Sequence, residues 1–241
     1  MKTRILIAAA ALLAASPAAR ADQRAYVWTY QYQTMERGQA ELEHYFTVSS
    51  PDLQNLEGNT ASEQQLELEI GMTDRFDFSL YQVFGQNPSE SLKYKGYKLR
   101  SRYRFGERGG WFVDPLVYLE YKGKPDFSEH VLETKLILAR DFGPLNLAVN
   151  PVLEVEKDGA EEWEFVPMYA AGASYAVSRL MRLGVEAKGS EDSHYLGPVI
   201  AHGYDDLWVA LGSALAVGGV EEGATEFQVR FILGFGVGPN R

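Results

Sequence analysis

Four basic residues alternate along one short stretch, Lys98, Arg100, Arg102 and Arg104. On an extended chain alternate residues share a face and lie about 6.8 Å apart, so the four form a cationic row. Acidic residues at comparable alternate positions are Glu41, Glu43, Glu67, Glu69, Asp77, Asp114, Glu120, Glu133, Glu154, Glu156, Glu162, Glu164, Glu186 and Glu226. Such rows support two kinds of chemistry. Paired, they make a salt-bridge ladder that braces or plugs an interior. Held apart across a water-filled constriction, they set a transverse field that favours polar or ionic solutes. Nucleophilic catalysis has one weak candidate, the run Asp192-Ser193-His194. A triad is assembled by the fold rather than by adjacency, so this run reads as loop composition. His202 and Ser213 stand alone, and neither G-x-S-x-G nor H-E-x-x-H occurs. His44, His130, His194 and His202 lack metal-ligand spacing, and no acidic loop carries the calcium pattern. Gly234, Gly236 and Gly238 alternate as on a strand, with no helix following to make a phosphate loop. No catalytic residue, metal or cofactor is expected.

The elements that position these side chains repeat with a period of two. Leu66, Leu68, Ile70 and Met72 oppose Gln65, Glu67, Glu69 and Gly71, and Phe76, Phe78 and Leu80 oppose Asp77, Ser79 and Tyr81. Tyr97, Leu99, Ser101, Tyr103 and Phe105 oppose the cationic row, and Phe227, Val229, Phe231, Leu233 and Phe235 oppose Glu226, Gln228, Arg230 and Ile232. This is strand periodicity, and no stretch shows a sustained helical stripe. Segments begin near Ala25, Ala40, Gln64, Phe76, Leu92, Phe112, Glu129, Leu145, Glu162, Leu180, Tyr195, Leu207 and Thr225. Between them short turns such as Glu36-Arg37-Gly38-Gln39, Thr73-Asp74-Arg75 and Asp141-Phe142-Gly143-Pro144 alternate strictly with longer polar loops, of which 49–61 is the longest. A meander of antiparallel hairpins whose two ends sit in different surroundings has this rhythm. Thirteen segments are one too many for an even-stranded barrel. The first, with Tyr26, Trp28, Tyr30 and Tyr32, therefore reads as a partial strand or a piece lying against the barrel, which leaves twelve strands, with fourteen as the second count.

The chain has 241 residues, 33 acidic against 23 basic, 12% aromatic and no cysteine. The acidic balance argues against a nucleic-acid binder, and the missing cysteine excludes a disulfide framework. Residues 1–21 combine Lys2 and Arg4, an apolar run and Ala19-Arg20-Ala21, the pattern of a cleaved export signal too short to span a bilayer. Removing them leaves 20 basic and 33 acidic residues in a single domain over 22–241, a net charge of −13.

Alternation alone does not say which face meets lipid, since a lipocalin-like barrel only exchanges inside for outside. Three features decide. Tyr94, Tyr97, Phe105, Trp111, Phe112, Tyr121, Trp163, Phe165, Tyr175 and Trp208 gather near segment ends like interfacial girdles. Small residues, Ala170, Gly172, Ser174, Gly184, Ala210, Gly212, Ala214, Gly234 and Gly236, share the polar parity of later segments and suit a lumen that must leave room. Strands of about ten residues match the length that crosses a bilayer. A charge on a lipid face costs about 2–4 kcal/mol at the midplane, and the charge runs all fall on the inward parity. Pro115, Pro151, Pro167 and Pro198 fall on the apolar parity, where each should mark a bulge or an unpaired position.

Signal peptide, alternating segments, aromatic girdles and the closing segment 227–237 together resemble Gram-negative outer-membrane β-barrel proteins, more loosely the small barrels described as outer-membrane transport proteins. The resemblance implies an all-β, antiparallel up-and-down transmembrane barrel of about twelve strands in the outer membrane. It implies outer-membrane lipid and the barrel-assembly machinery as partners. Such barrels usually end on a terminal aromatic read by that machinery, whereas here Gly236-Val237-Gly238-Pro239-Asn240-Arg241 follow Phe235. The expected activity is passive passage of small polar or ionic solutes, with Lys98, Arg100, Arg102 and Arg104 as basic pore-lining residues. Glu41, Glu43, Glu67, Glu69, Asp114, Glu120, Glu154 and Glu156 are the acidic ones. The alternatives are an outer-membrane lipid hydrolase or deacylase, and a plugged structural or adhesion barrel.

Overall fold

The structure is a computed structural model that describes residues 23–159, 162–204, 206–218, 220 and 224–237; the predicted export signal lies outside them. Twelve strands follow in order: β1 (Ala40–Ser50), β2 (Ala61–Thr73), β3 (Phe76–Gln86), β4 (Lys93–Arg104), β5 (Asp114–Gly123), β6 (Glu129–Phe142), β7 (Leu145–Asp158), β8 (Glu164–Ala176), β9 (Met181–Gly189), β10 (His194–Tyr204), β11 (Leu207–Ala216) and β12 (Phe227–Val237). Each pairs antiparallel with its chain neighbour, and β1 pairs with β12 from Ala40↔Val237 to Ser50↔Phe227, which closes the barrel and leaves no free edge. The smaller of the two strand counts is the one that forms.

The alternation sorts side chains as the pattern requires. Leu42, Leu66, Leu68, Leu80, Leu99, Leu119, Leu136, Val149, Val185, Ile200 and Leu211 lie exposed on the outer surface, while Glu41, Glu43, Glu67, Glu69, Asp77, Arg100 and Arg102 are buried inside. An apolar exterior around a charged interior inverts the arrangement of a water-soluble protein and fits a lipid surround. Tyr94, Phe127, Trp163 and Phe165 stand exposed towards one rim, and Tyr103, Phe105, Trp111, Phe112, Phe142, Tyr175 and Tyr204 towards the other. Trp208 corrects the girdle reading. It shares the inward parity of Ala210 and Gly212, is 1% exposed, and donates its indole N–H to Glu41 Oε1 at 2.5 Å.

One end of the barrel carries the connections 51–60, 87–92, 124–128, 159–163, 190–193 and 217–226, here called the outer end; the other carries 74–75, 105–113, 143–144, 177–180 and 205–206. The strict short-long rhythm fails at the inner connection 105–113, which is longer than its outer neighbours 87–92 and 124–128, and lapses at 177–180, which only equals 190–193. The folding of 105–113 has a local cause. Asp114 accepts the Gly109 N–H at 2.7 Å, and Arg108 reaches Asp141 at 2.8 Å. Arg75 in the β2–β3 turn holds Glu107 at 2.6 Å, and the hydrogen bond and charge of that guanidinium keep the Glu107 carboxyl below its usual range.

The prolines are accommodated without bulges. In an antiparallel sheet both backbone polar groups of a residue face the same neighbouring strand, so a proline disturbs one side only. Pairing of β6 with β7 lapses between Lys135↔Val152 and Leu138↔Val149, beside Pro151, and pairing of β10 with β11 lapses between Leu196↔Leu215 and Val199↔Gly212, beside Pro198. The register is the same on both sides of each lapse. Pro115 and Pro167 lie where one neighbour has ended, since β4–β5 pairing stops at Arg104↔Leu116 and β8–β9 pairing at Tyr169↔Gly189. The register shifts occur elsewhere, between Gly71 and Thr73 and between Val83 and Phe84. At the first, a Cβ on Gly71 would lie 1.9 Å from the Glu36 carbonyl oxygen. Only glycine lets the chain entering β1 pass that close.

Candidate solute pathway

Residues 23–39 form no strand. This strap runs inside the barrel and turns into β1 at Glu36-Arg37-Gly38-Gln39, where Gly38 N–H donates to Gly71 O at 2.8 Å. Its polar groups are met by wall side chains instead of a ladder. Glu186 on β9 accepts three successive backbone N–H groups, Val27 at 2.9 Å, Trp28 at 2.9 Å and Thr29 at 2.7 Å. Converging amides of this kind form a nest that binds an anion. Asn150 on β7 accepts the Tyr30 N–H at 2.6 Å and donates to its carbonyl at 3.0 Å, and Tyr26 Oη donates to Asn146 Oδ1 at 2.9 Å. At the inner end Asp77 accepts the Met35 N–H at 2.9 Å, and Arg108 donates to Tyr32 O at 2.7 Å. The strap thus touches β3, β7 and β9 and crosses the lumen.

The small inward residues now have an explanation different from the expected one. A Cβ on Gly172 would lie 2.5 Å from the Tyr26 ring, and one on Gly212 2.5 Å from Val27 Cγ2. At these two positions the room is filled by the strap, whereas at Gly234 it is taken by Trp208 and Glu41. Charge-assisted hydrogen bonds contribute about 1.5–3 kcal/mol each, so Glu186→Ala is expected to loosen the strap and give frequent steps to higher conductance in bilayer recordings. A trace as quiet as the parent's would show that the Glu186 clasp does not hold it.

The cationic row lies inside, and most of it is paired along one wall. Arg100 meets Glu67 at 2.6 Å and also Glu69; Arg102 meets Asp77 at 2.7 Å and shares Glu69. Arg100 further donates to Tyr81 Oη at 2.5 Å and Ser79 Oγ at 2.7 Å. Lys98 lies 3.4 Å from Glu120. Arg104, at the inner end, donates to Asp74 O at 2.6 Å and lies over the Tyr32 ring. The acids come from β3 and β5, which flank the arginines' own strand, and from β2, one strand further round, so the charges neutralise one another along one wall rather than across a gap. Glu43 accepts from Tyr45 Oη and lies 4.0 Å from Arg24 of the strap. Glu43, Glu67 and Glu69 form the one carboxylate cluster tight enough for a metal ion among the described residues, but Arg24, Arg100 and Arg102 already supply its countercharge. Asp114 serves its own connection, and Glu41 holds Trp208. Glu154 pairs with Lys122, and Glu156 is half-buried near the outer end.

Above the strap, towards the outer end, the interior opens into a cavity of about 590 Å³. Lys95, Lys98, Lys122, Lys124, Lys188 and Arg230 line it against two acids, Glu63 and Glu129. In a chain of net charge −10 this concentration of positive charge is local, and the inward parity of separate strands produces it. Sequence reasoning missed Lys122, Lys188 and Arg230, since Lys122 and Arg230 are single basic positions on their strands and Lys188 lies at the far end of β9 from Arg182; register brings them together. Of the hydrolase candidates, His194 faces Tyr169 Oη at 3.2 Å, and no hydrogen bond joins it to Ser193 among the described residues.

This closed barrel can be set beside solved structures. An outer-membrane channel from Pseudomonas putida F1 superposes with a TM-score of 0.63 at 12% identity, over 88% of this chain and 100% of that one. The fold is that of an outer-membrane channel barrel. The KdgM porin, solved in complex with disordered oligogalacturonate, matches with a TM-score of 0.59 at 9% identity, over 83% of this chain and 99% of the other. The NanC porin matches at 0.54 and 11%, over 81% and 98%. No protein-family description matches the sequence, and no curated protein does.

Proposed function

We propose that the chain is an outer-membrane channel that passes small polar or ionic solutes passively, with the strap as its constriction. The observation that carries this reading is the apolar belt of a closed twelve-stranded barrel around a charged interior that opens, at one end, into a cavity of about 590 Å³. Eight strands enclose an interior filled by side chains and sixteen an open channel; twelve leave a bore that one chain segment can narrow. The likeness to porin and channel barrels supports the same reading, and transmembrane barrels carry their longer connections at the cell exterior. Lipid covering the belt and delivery by the barrel-assembly machinery belong to this proposal.

The test is reconstitution. Protein refolded in detergent is expected to migrate faster unheated than boiled, and a planar bilayer should then show discrete, voltage-independent current steps. Silence from correctly refolded protein would overturn the channel reading and favour a plugged barrel. Phospholipid turnover abolished by His194→Ala would favour the hydrolase.

A further inference from the structure

Two cavities meet at Trp28. The outer cavity is one of them, and a second, of about 300 Å³, lies behind it; Trp28 and Lys188 line both. Lys188 Nζ lies 4.7 Å from the Trp28 ring centre, and the Arg230 guanidinium carbon lies 5.7 Å from it. The two cations come from β9 and β12 and share one indole, and neither has a carboxylate within 4.0 Å among the described residues. Their hydrogen-bond partners are neutral, Gln228 Oε1 for Lys188 and Thr47 Oγ1, at 2.9 Å, for Arg230. The acid nearest in sequence to Lys188, Glu186, is occupied by the strap's three amides. Trp28 Nε1 is buried, with no acceptor among the described residues. Like charges gathered on one ring repel, and a buried donor without an acceptor is unfavourable. One anion would relieve both.

The second cavity supplies the rest of the ligand's chemistry. Val152, Met168, Tyr169 and Tyr195 line it, and its charged pair, Lys135 and Glu133, is joined at 2.8 Å. Such a lining takes an apolar body, with the polar contacts confined to one end. We propose that Trp28, Lys188 and Arg230 form a binding station for an organic monocarboxylate with an apolar body. Its carboxylate lies between the two cations and its hydrocarbon part against Met168, Tyr169 and Tyr195. The station deepens the channel reading by naming a solute class, but ligand binding to the detergent-solubilised barrel does not depend on conduction.

Three six-carbon probes separate the contributions. Hexanoate has the charge and the apolar body, 1-hexanol lacks the charge, and gluconate keeps the charge on a hydroxylated body. Titration calorimetry on the full folded chain, corrected with protein-free detergent, should show hexanoate binding at least about tenfold tighter than either, a difference of about 1.4 kcal/mol. Lys188→Gln and Arg230→Gln should each weaken hexanoate about tenfold, and Lys188→Arg should restore it; the heat-shifted gel band verifies that each variant has folded. Hexanol or gluconate binding as tightly, no hexanoate binding, or a Lys188→Gln Arg230→Gln double variant equal to the parent would overturn the station. Hexanoate binding by a barrel that passes no current would overturn the channel reading and keep the station, whereas conduction without hexanoate binding would overturn the station alone.

Discussion

Deleting residues 23–35 from the exported chain is expected to raise single-channel conductance severalfold. The strap fills the lumen at the level where the walls are lined by Gly172 and Gly212, the two positions at which an added Cβ would strike Tyr26 and Val27. Without it that level keeps small side chains and the bore of a twelve-stranded barrel. The barrel should survive the deletion, because the register from β1↔β2 round to β1↔β12 involves no strap residue. The heat-shifted gel band then checks folding and the bilayer current checks the bore. Intact folding with unchanged conductance would mean that the constriction lies elsewhere.

The second large effect concerns stability. Arg100 is 1% exposed and is surrounded by Glu67, Glu69, Tyr81 and Ser79. Arg100→Met keeps a side chain of comparable length but leaves Glu67 without its ion-pair partner and Glu69 with Arg102 alone. Removing one partner of a buried pair costs about 3–5 kcal/mol, because the remaining charge stays desolvated. The temperature at which the compact gel band is lost should fall clearly, and Glu67→Gln in the same chain should recover part of the loss, since the two residues interact directly. Ion selectivity should move far less than stability. A selectivity change in an equally stable variant would instead assign Arg100 to the conducting surface.

The barrel was legible in the sequence because each strand writes its own alternation: Leu66 to Met72 against Gln65 to Gly71 needs no partner to be read. What lies inside was harder. Tyr26, Trp28, Tyr30 and Tyr32 alternate like strand residues, and only their contacts, with Glu186 and Asn150 more than a hundred positions away, reveal a strap. The inward glycines signalled room, which was correct, but not its occupant. The charged rows were legible as rows and not as pairs, since pairing depends on which strands the closed sheet brings near one another. The row on β4 meets acids of β2, β3 and β5. Trp208 was misplaced because position near a segment end was weighed above parity. Lys122, Lys188 and Arg230 of the outer cavity were invisible for the opposite reason, lying on separate strands that only register unites.

Closure of the sheet at β1 against β12 constrains biogenesis. The strap precedes every strand in the chain, yet its chief clasp, Glu186, follows some 160 residues later, and the seam completes last. A finished ring would have to be threaded by the strap. A sheet that curls round the strap as it closes needs no such threading, so each completed barrel carries its constriction from the moment the seam forms.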